Sequence, residues 1–163
     1  MKALVINLDR AESRLAFMAG QLDRLGLDWA RLAAVTPETL EPPAADPIWM
    51  RWQRPLQDTE KAVLASHRRA WEIVDESGRP HLILEDDAVL ARALPGFLAQ
   101  VAPLSGIDHL SLETRGRKKC LARRPHAAAP IHRLYQDRTG AAAYVLWPRG
   151  ARRLLARADR VPG

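Results

Sequence analysis

Cysteine is almost absent from this sequence, and long apolar runs are missing altogether. The single cysteine, Cys120, excludes an internal disulfide and a zinc site built from cysteines, which fits a reducing compartment. No uninterrupted apolar stretch approaches the roughly 20 residues that a membrane-spanning helix needs. The first apolar run ends at Asn7, too early for the apolar stretch of a signal peptide. We therefore expect a cytoplasmic protein.

Aromatic residues are scarce where positive charge is concentrated. The net charge is +6, from 25 basic and 19 acidic residues, and the stretch from Glu113 to Arg160 carries 13 basic residues against three acidic ones. Such a stretch suits an anionic partner, although a genome-wide bias towards arginine is an alternative explanation. Proteins that bind single-stranded nucleic acid combine basic with aromatic side chains, and only Tyr135 and Trp147 lie near this stretch. We therefore expect no specific nucleic-acid partner.

The 163 residues, 47% of them hydrophobic, are enough for one domain with a single sizeable core. Apolar runs bounded by polar residues predict strands, and apolar positions at helical spacing predict helices. The predicted strands are 3–8, 29–35, 81–84, 107–112, 131–135 and 142–147; the predicted helices are 9–26 and 59–78, capped by Asp9 and Thr59, then 94–101 and a helix after Pro148. Loops are expected at 36–55 and, rich in basic residues, at 115–124. This alternation predicts an α/β fold, a mostly parallel sheet with helices on both faces.

Three consecutive acids, Glu85, Asp86 and Asp87, follow the predicted strand 81–84. Like charges at this spacing repel one another, and each resists the loss of water. In an open α/β sheet the carboxyl ends of the strands border the ligand crevice, where such acids hold a hard cation such as Mg²⁺ or Mn²⁺. That ion usually completes its shell with water and substrate phosphates, which points to a diphosphate substrate. The alternative is a solvated acidic turn that merely ends the strand.

Polar groups also follow the first predicted strand. Asn7, Asp9, Arg10 and Arg14 combine an amide, a carboxylate and two guanidinium groups near a helix N-terminus, where anions are favoured. The alternative is a helix cap with ordinary surface ion pairs.

The dipeptide Ser66-His67 lies within the second predicted helix. The two residues cannot form the relay of a catalytic triad, because successive helical residues point about 100° apart. His67 lies on the apolar stripe of the helix, so a packed histidine bonded to a neighbouring carbonyl is the alternative to a role in a site.

Four blocks of the sequence bring these observations together. They are Val5-Ile6-Asn7-Leu8-Asp9-Arg10 with Arg14, Thr59-Glu60-Lys61-Ala62-Val63-Leu64-Ala65-Ser66-His67 with Trp71, Leu82-Ile83-Leu84-Glu85-Asp86-Asp87-Ala88, and Gly140-Ala141-Ala142-Ala143-Tyr144-Val145 with Gly150-Ala151. In this order the blocks resemble family 25 glycosyltransferases, the bacterial group that adds galactose-type sugars to lipooligosaccharide and lipopolysaccharide cores. The resemblance implies one domain, 1–163, that lacks the C-terminal part of the family domain.

The resemblance also implies a GT-A-like, Rossmann-like fold and an inverting transfer of a sugar, galactose, from a UDP-sugar. The implied cofactor is Mn²⁺ or Mg²⁺, held by Asp87 and Glu85, with Glu85 also near the ribose or a metal-bound water. Asp86 would orient its neighbours or the donor sugar. The implied nucleotide-sugar contacts are Asn7, Leu8, Arg10, Arg14, Ser66, His67, Glu85 and Asp86. The implied partners are the UDP-sugar donor, an anionic saccharide or glycolipid acceptor, and the cytoplasmic face of the inner membrane as a peripheral contact.

An inverting transfer needs a base that takes the proton of the acceptor hydroxyl. The candidates are Asp108 and Asp137, and each has the alternative of being an ordinary strand-end or loop carboxylate. Two other functions stay open. One is a nucleotide-sugar-binding remnant without transferase activity; the other is a basic nucleic-acid-binding domain, whose affinity would fall steeply with salt.

Overall fold

The computed structural model describes residues 1–114, 116, 118–136 and 140–160. Within these residues the strands are β1 (Lys2–Asn7), β2 (Trp29–Ala33), β3 (His81–Glu85), β4 (His109–Ser111), β5 (Cys120–Pro125), β6 (His132–Gln136) and β7 (Ala143–Leu146). The helices are α1 (Glu12–Arg24), α2 (Asp58–Ser77), α3 (Leu94–Val101) and α4 (Pro148–Ala158). Two short 3₁₀ helices, Pro37–Thr39 and Pro47–Arg51, lie between β2 and α2.

Five strands form the central sheet, in the order β2-β1-β3-β7-β4. Strand β1 runs parallel to β2 and β3, whereas β7 runs antiparallel to both β3 and β4. The carboxyl ends of β1, β2, β3 and β4 therefore lie at one edge of the sheet, beside the amino end of β7. The remaining two strands, β5 and β6, form a separate antiparallel hairpin.

Both faces of the central sheet are covered by helices. Successive residues of a strand point to opposite faces, so each inner strand contributes to two apolar cores. Helices α1 and α3 pack over Val5 and Leu84 on one face, and α2 and α4 pack over Leu4 and Ile83 on the other. The predicted α/β class, the mostly parallel sheet and the helices on both faces are confirmed.

The predicted caps of the first two helices are wrong. Ala11 is the N-cap of α1, and the carboxylate of Asp9 instead forms an ion pair with Arg31 of β2. Gln57 is the N-cap of α2, and its backbone N–H donates to Glu60 Oε2 at 2.9 Å in a capping box. In the first case a cross-strand arginine competes for the carboxylate; in the second the helix begins one residue before Thr59.

The predicted basic loop 115–124 is also corrected by the structure. Its last five residues belong to β5, which pairs with β6. Because most side chains of β5 are exposed on both faces, this strand lacks the apolar alternation that would have revealed it, whereas its partner β6 matches the predicted strand 131–135. Among the described residues, the structure contains no helix long and apolar enough to cross a bilayer.

Candidate functional site

A cavity of about 230 Å³ opens at the carboxyl edge of the sheet. Its wall is formed by the end of β1 and the start of α1, the segment after β2, the first half of α2 and the acidic segment after β3. Eight predicted site residues line it: Leu8, Arg10, Arg14, Ser66, His67, Glu85, Asp86 and Asp87. The sheet thus brings together side chains from four separate segments of the chain.

Asn7 is the predicted contact that does not line this cavity. Its side chain is only 2% exposed, and its Nδ2 donates to Asp86 Oδ2 at 2.7 Å and to the carbonyl of Ala11 at 3.1 Å. The amide therefore joins the ends of β1 and β3 and the start of α1. Its placement favours a positioning role over direct contact with a ligand.

Asp86 is a buried residue of the cavity wall, and Arg14 and Asn7 bind its two carboxylate oxygens. Its Oδ1 is 3.1 Å from an Arg14 guanidinium nitrogen, and the Arg14 side chain remains half exposed. A buried carboxylate needs such partners, because taking its charge out of water is costly. Asp86 consequently fixes one side of the Arg14 guanidinium, while the Arg14 side chain stays half exposed.

Arg31 is a residue of this site that sequence reasoning missed. From the neighbouring strand β2 its Nε donates to Asn7 Oδ1 at 3.0 Å, and its guanidinium donates to the Asn7 carbonyl at 3.1 Å. These contacts fix which end of the Asn7 amide faces Asp86. The pairing of β1 with β2 puts Arg31 opposite Val5, and nothing in the short sequence of β2 indicates this partnership.

Gln21 of α1 is a second missed residue. It is buried, and it donates from Nε2 to the carbonyl of Ala88 at 3.0 Å while its Oε1 accepts from the backbone N–H of Leu90 at 2.9 Å. A single side chain therefore anchors the backbone that immediately follows the three acids. Position 21 lies on the inner stripe of α1, where a polar residue is the only sequence signal.

His67 belongs to a buried hydrogen-bonded chain that ends at Glu85. Its Nε2 lies 3.4 Å from Glu85 Oε1, and its Nδ1 lies 2.9 Å from the Tyr144 hydroxyl. The indole N–H of Trp71 donates to the same hydroxyl at 2.9 Å. Because a carboxylate only accepts, His67 carries its proton on Nε2, and Tyr144 donates to Nδ1.

The environment of Tyr144 keeps its hydroxyl protonated. Burial raises the pKa of Tyr144 well above its usual range, and the nearby charge of Glu85 raises it further, which together outweigh the opposing effect of the Trp71 hydrogen bond. Tyr144 therefore holds the imidazole of His67 in one tautomer at the wall of the cavity. The predicted packed histidine is present, and its partners are side chains rather than a backbone carbonyl.

Ser66 attaches the segment after β2 to α2. Its Oγ donates to the carbonyl of Ala62 and accepts from the backbone N–H of Val35, both at 2.8 Å. The residues that follow Val35, Thr36 and Pro37, form part of the cavity wall. Ser66 thus holds the segment that forms this part of the wall against α2.

Replacing Ser66 with alanine tests this attachment. The buried N–H of Val35 would lose its partner, so we expect the free energy of unfolding to fall by about 1–2 kcal/mol. The matched control is Ser13→Ala, an exposed serine of α1, which should change stability by less than about 0.5 kcal/mol. Urea denaturation measures both; equal values for the two variants would contradict the role assigned to Ser66.

The carboxylates suit a shared cation better than a fully protein-built metal centre. Within the described residues there is no group of three or more histidine, cysteine, aspartate or glutamate side chains that could hold a metal ion. Glu85 and Asp87 nevertheless line the same cavity, Glu85 part-buried and Asp87 exposed. One or two carboxylates, completed by phosphate oxygens and water, are the usual protein ligands of Mg²⁺. The two side chains therefore fit an ion that arrives with a phosphorylated ligand.

Of the two candidate bases, Asp108 and Asp137, the structure describes only Asp108. Asp108 precedes β4 at the opposite edge of the sheet, and its carboxylate binds Arg149 at 2.5 Å and also Arg153. Burial raises the pKa of Asp108, but the two guanidinium groups outweigh it and hold the pKa below its usual range. This placement favours an anchoring role for Asp108 and offers no support for its role as base. Asp137 lies outside the described residues.

The parallel strands and the cavity at their carboxyl ends, surrounded by arginine and carboxylate groups, define a Rossmann-like α/β protein. More particularly, the chain belongs to glycosyltransferase family 25, described as LPS biosynthesis proteins, whose family model matches residues 1–162. It is therefore a glycosyltransferase. A search of curated proteins found no match to the chain.

Proposed function

We propose that this glycosyltransferase moves a sugar, galactose, from a UDP-sugar to a saccharide acceptor of lipopolysaccharide type, with inversion at the anomeric carbon. The observation that carries this proposal is the convergence of Arg10, Arg14, Glu85 and Asp87 on one cavity at the carboxyl edge of the sheet. If the acceptor is a glycolipid, the protein binds it at the cytoplasmic face of the inner membrane.

The lining of the cavity suits the two ends of a nucleoside diphosphate. Apolar groups of Ile6, Leu8 and Val35 form one part of the wall and suit the nucleobase. Arg10 and Arg14 follow the end of β1, and guanidinium groups bind phosphate oxygens through paired N–H donors. In this arrangement Asp86 positions Arg14, and Ser66 and His67 support the wall.

The Glu85 and Asp87 side chains would hold Mn²⁺ or Mg²⁺ together with the diphosphate. When bound, such an ion stabilises the negative charge that develops on the departing diphosphate. Glu85 is also the acceptor of His67 Nε2, which fixes the side chain at the cavity wall.

In the transfer itself, the oxygen of an acceptor hydroxyl forms a bond to the anomeric carbon while the bond from that carbon to the diphosphate oxygen breaks. The hydroxyl proton passes to a base, and UDP leaves with the electron pair of the broken bond. Arg10 and Arg14 stabilise the charge on the leaving group because they stay close to the phosphate oxygens throughout.

The decisive experiment is a calorimetric titration of the protein with UDP-galactose, UDP-glucose and UDP-N-acetylglucosamine, each with and without Mn²⁺. We expect Mn²⁺-dependent binding that weakens at least about tenfold in Asp87→Asn, since one charged metal ligand is lost. Asp87 is exposed, so the thermal unfolding midpoint should not change.

The matched control is Asp28→Asn, an exposed aspartate that precedes β2 and lies outside the cavity. It should bind the donor like the unchanged protein. If no UDP-sugar binds, or if Asp87→Asn and Asp28→Asn bind equally well, the proposed donor site is wrong.

A further inference from the structure

A second cavity, of about 400 Å³, lies next to the first along α2. Its wall includes the aromatic side chains of Trp52, Trp71, His109 and Tyr144 together with aliphatic residues such as Leu64. The rings of His109 and Tyr144 are stacked, with their centroids 4.9 Å apart. This cavity includes none of the carboxylates of the acidic segment and neither of the arginines that follow β1.

The two cavities meet at two residues of α2. Val63 and His67 line both of them. These residues are four positions apart in the helix, so their side chains are neighbours on one face. The side chain of Val63 is half exposed although it is apolar, which is unusual for a helix residue between two packed segments. A molecule in the second cavity would therefore be separated from a ligand in the first by no more than these two side chains.

Most of the surface of the second cavity presents carbon rather than hydrogen-bonding atoms. The Trp71 N–H and the Tyr144 hydroxyl bind each other, and the hydroxyl also binds His67. Their polar atoms are thereby satisfied within the protein and both side chains are buried, so the part-exposed ring of Trp52 supplies the accessible aromatic surface. Aromatic faces carry partial negative charge, which attracts the weakly positive C–H hydrogens of a sugar ring.

Arg54 and Glu60 supply polar groups at the rim of the second cavity. The guanidinium donates two bonds to the Glu60 carboxylate, at 2.9 Å and 2.7 Å, and a third to the carbonyl of Pro55. A guanidinium group has five N–H donors, so two are left without a partner among the described residues. Because Glu60 fixes the group, those donors are pre-oriented for the hydroxyl oxygens of a ligand.

An enzyme that transfers a sugar must hold the acceptor hydroxyl within reach of the anomeric carbon of the donor. We propose that the second cavity is the acceptor subsite: it binds the terminal sugar ring of the saccharide acceptor by stacking on Trp52, with Arg54 bound to its hydroxyls. This assignment rests on the donor site proposed for the first cavity. Val63 and His67 then lie where donor sugar and acceptor meet.

Saturation-transfer NMR with a panel of lactose and the methyl glycosides of galactose, glucose and N-acetylglucosamine tests this proposal, in the presence of UDP and Mn²⁺. We expect at least one saccharide to bind, and its affinity to fall at least about fivefold in Trp52→Ala because a stacking surface is lost. The conservative variant Trp52→Phe should retain most of the binding. Titration with UDP and Mn²⁺ should give the same affinity in all three proteins.

The matched control is Met50→Ala, a large apolar residue of the same segment that is 84% exposed and outside the second cavity. It should bind the saccharide normally. The proposal is overturned if no saccharide in the panel binds, if Trp52→Ala and Met50→Ala bind equally, or if Trp52→Ala weakens UDP-galactose but not UDP, which would put the donor sugar in this cavity. Failure of the donor site itself would show separately, as loss of UDP binding in the unchanged protein.

Discussion

The variant Gly150→Ala is expected to unfold about 10 °C below the unchanged protein. Gly150 lies in the first turn of α4, and a Cβ added there would be 2.0 Å from the backbone oxygen of Asp108 and 2.7 Å from its carbonyl carbon. Both atoms are backbone, so the overlap is relieved only if α4 moves away from the strand edge. Such overpacking costs about 3 kcal/mol or more, which corresponds to roughly 6–12 °C for a chain of this size. Thermal unfolding followed by circular dichroism measures it.

The matched control is Gly20→Ala in α1, where an added Cβ meets nothing within 4 Å. Alanine favours helix over glycine, so this variant should gain up to about 1 kcal/mol. The same substitution is thus expected to have opposite signs in two helices. A Gly150→Ala protein as stable as the Gly20→Ala protein would show that α4 does not pack against Asp108 as described.

This close contact also explains the position of Asp108. The carbonyl of Asp108 accepts from the backbone N–H of Trp147 at 3.1 Å, and its carboxylate binds Arg149 and Arg153 of α4. One residue therefore holds the start of α4 by its backbone and by its side chain. Sequence reasoning placed Asp108 near the start of a strand, and it could not reveal that both groups bind a helix 40 residues further along the chain.

The elements that sequence reasoning predicts well are those whose local pattern agrees with their burial. Strands β1 and β3 are continuous apolar runs because the sheet buries both of their faces, and α2 shows apolar spacing because one side of it is covered. Strand β6 matches the predicted strand 131–135, whereas its hairpin partner β5 was missed, since β5 has no consistently buried face. Local patterns therefore predict the central layer and fail at its periphery.

In the candidate site, the sequence likewise predicts the charged residues but not the residues that bind them. The acids after β3 and the arginines after β1 are visible in sequence, because charges directly after buried strands are unusual. Their partners are not: Arg31 comes from β2, Gln21 from α1 and Tyr144 from β7. Each partner is set by strand order or helix packing, which no local pattern records.

The Asn7→Asp variant is expected to be about 2–3 kcal/mol less stable at neutral pH than in acid. Asn7 Nδ2 is 2.7 Å from Asp86 Oδ2 and also faces the carbonyl of Ala11, and Arg31 binds the other end of the amide. An aspartate at position 7 has an oxygen in place of Nδ2, so two buried carboxylate oxygens, one from each aspartate, would lie at hydrogen-bond distance. One proton must then be shared between them, because two carboxylates at hydrogen-bond distance do not both ionise readily.

The direction of the pH dependence follows from the difference in the pKa of the introduced carboxyl group between the folded and the unfolded variant. In the folded variant the pKa of the introduced carboxyl group is raised above its unfolded value of about 4. Stability is therefore fully present below about pH 4 and is lost as the pH rises through the raised folded pKa. Urea denaturation between about pH 4 and pH 7 measures this loss, and the UDP affinity should fall over the same range because Asp86 then holds Arg14 less firmly.

The matched control is Gln53→Glu, which makes the same amide-to-acid change at an exposed position. Water solvates the new charge there, so the stability of this variant should follow that of the unchanged protein at every pH. If Asn7→Asp behaves like Gln53→Glu, the Asn7 amide does not face Asp86. In that case Asp86 would lack the partner that orients it towards Arg14, and the positioning role assigned to Asn7 would be wrong.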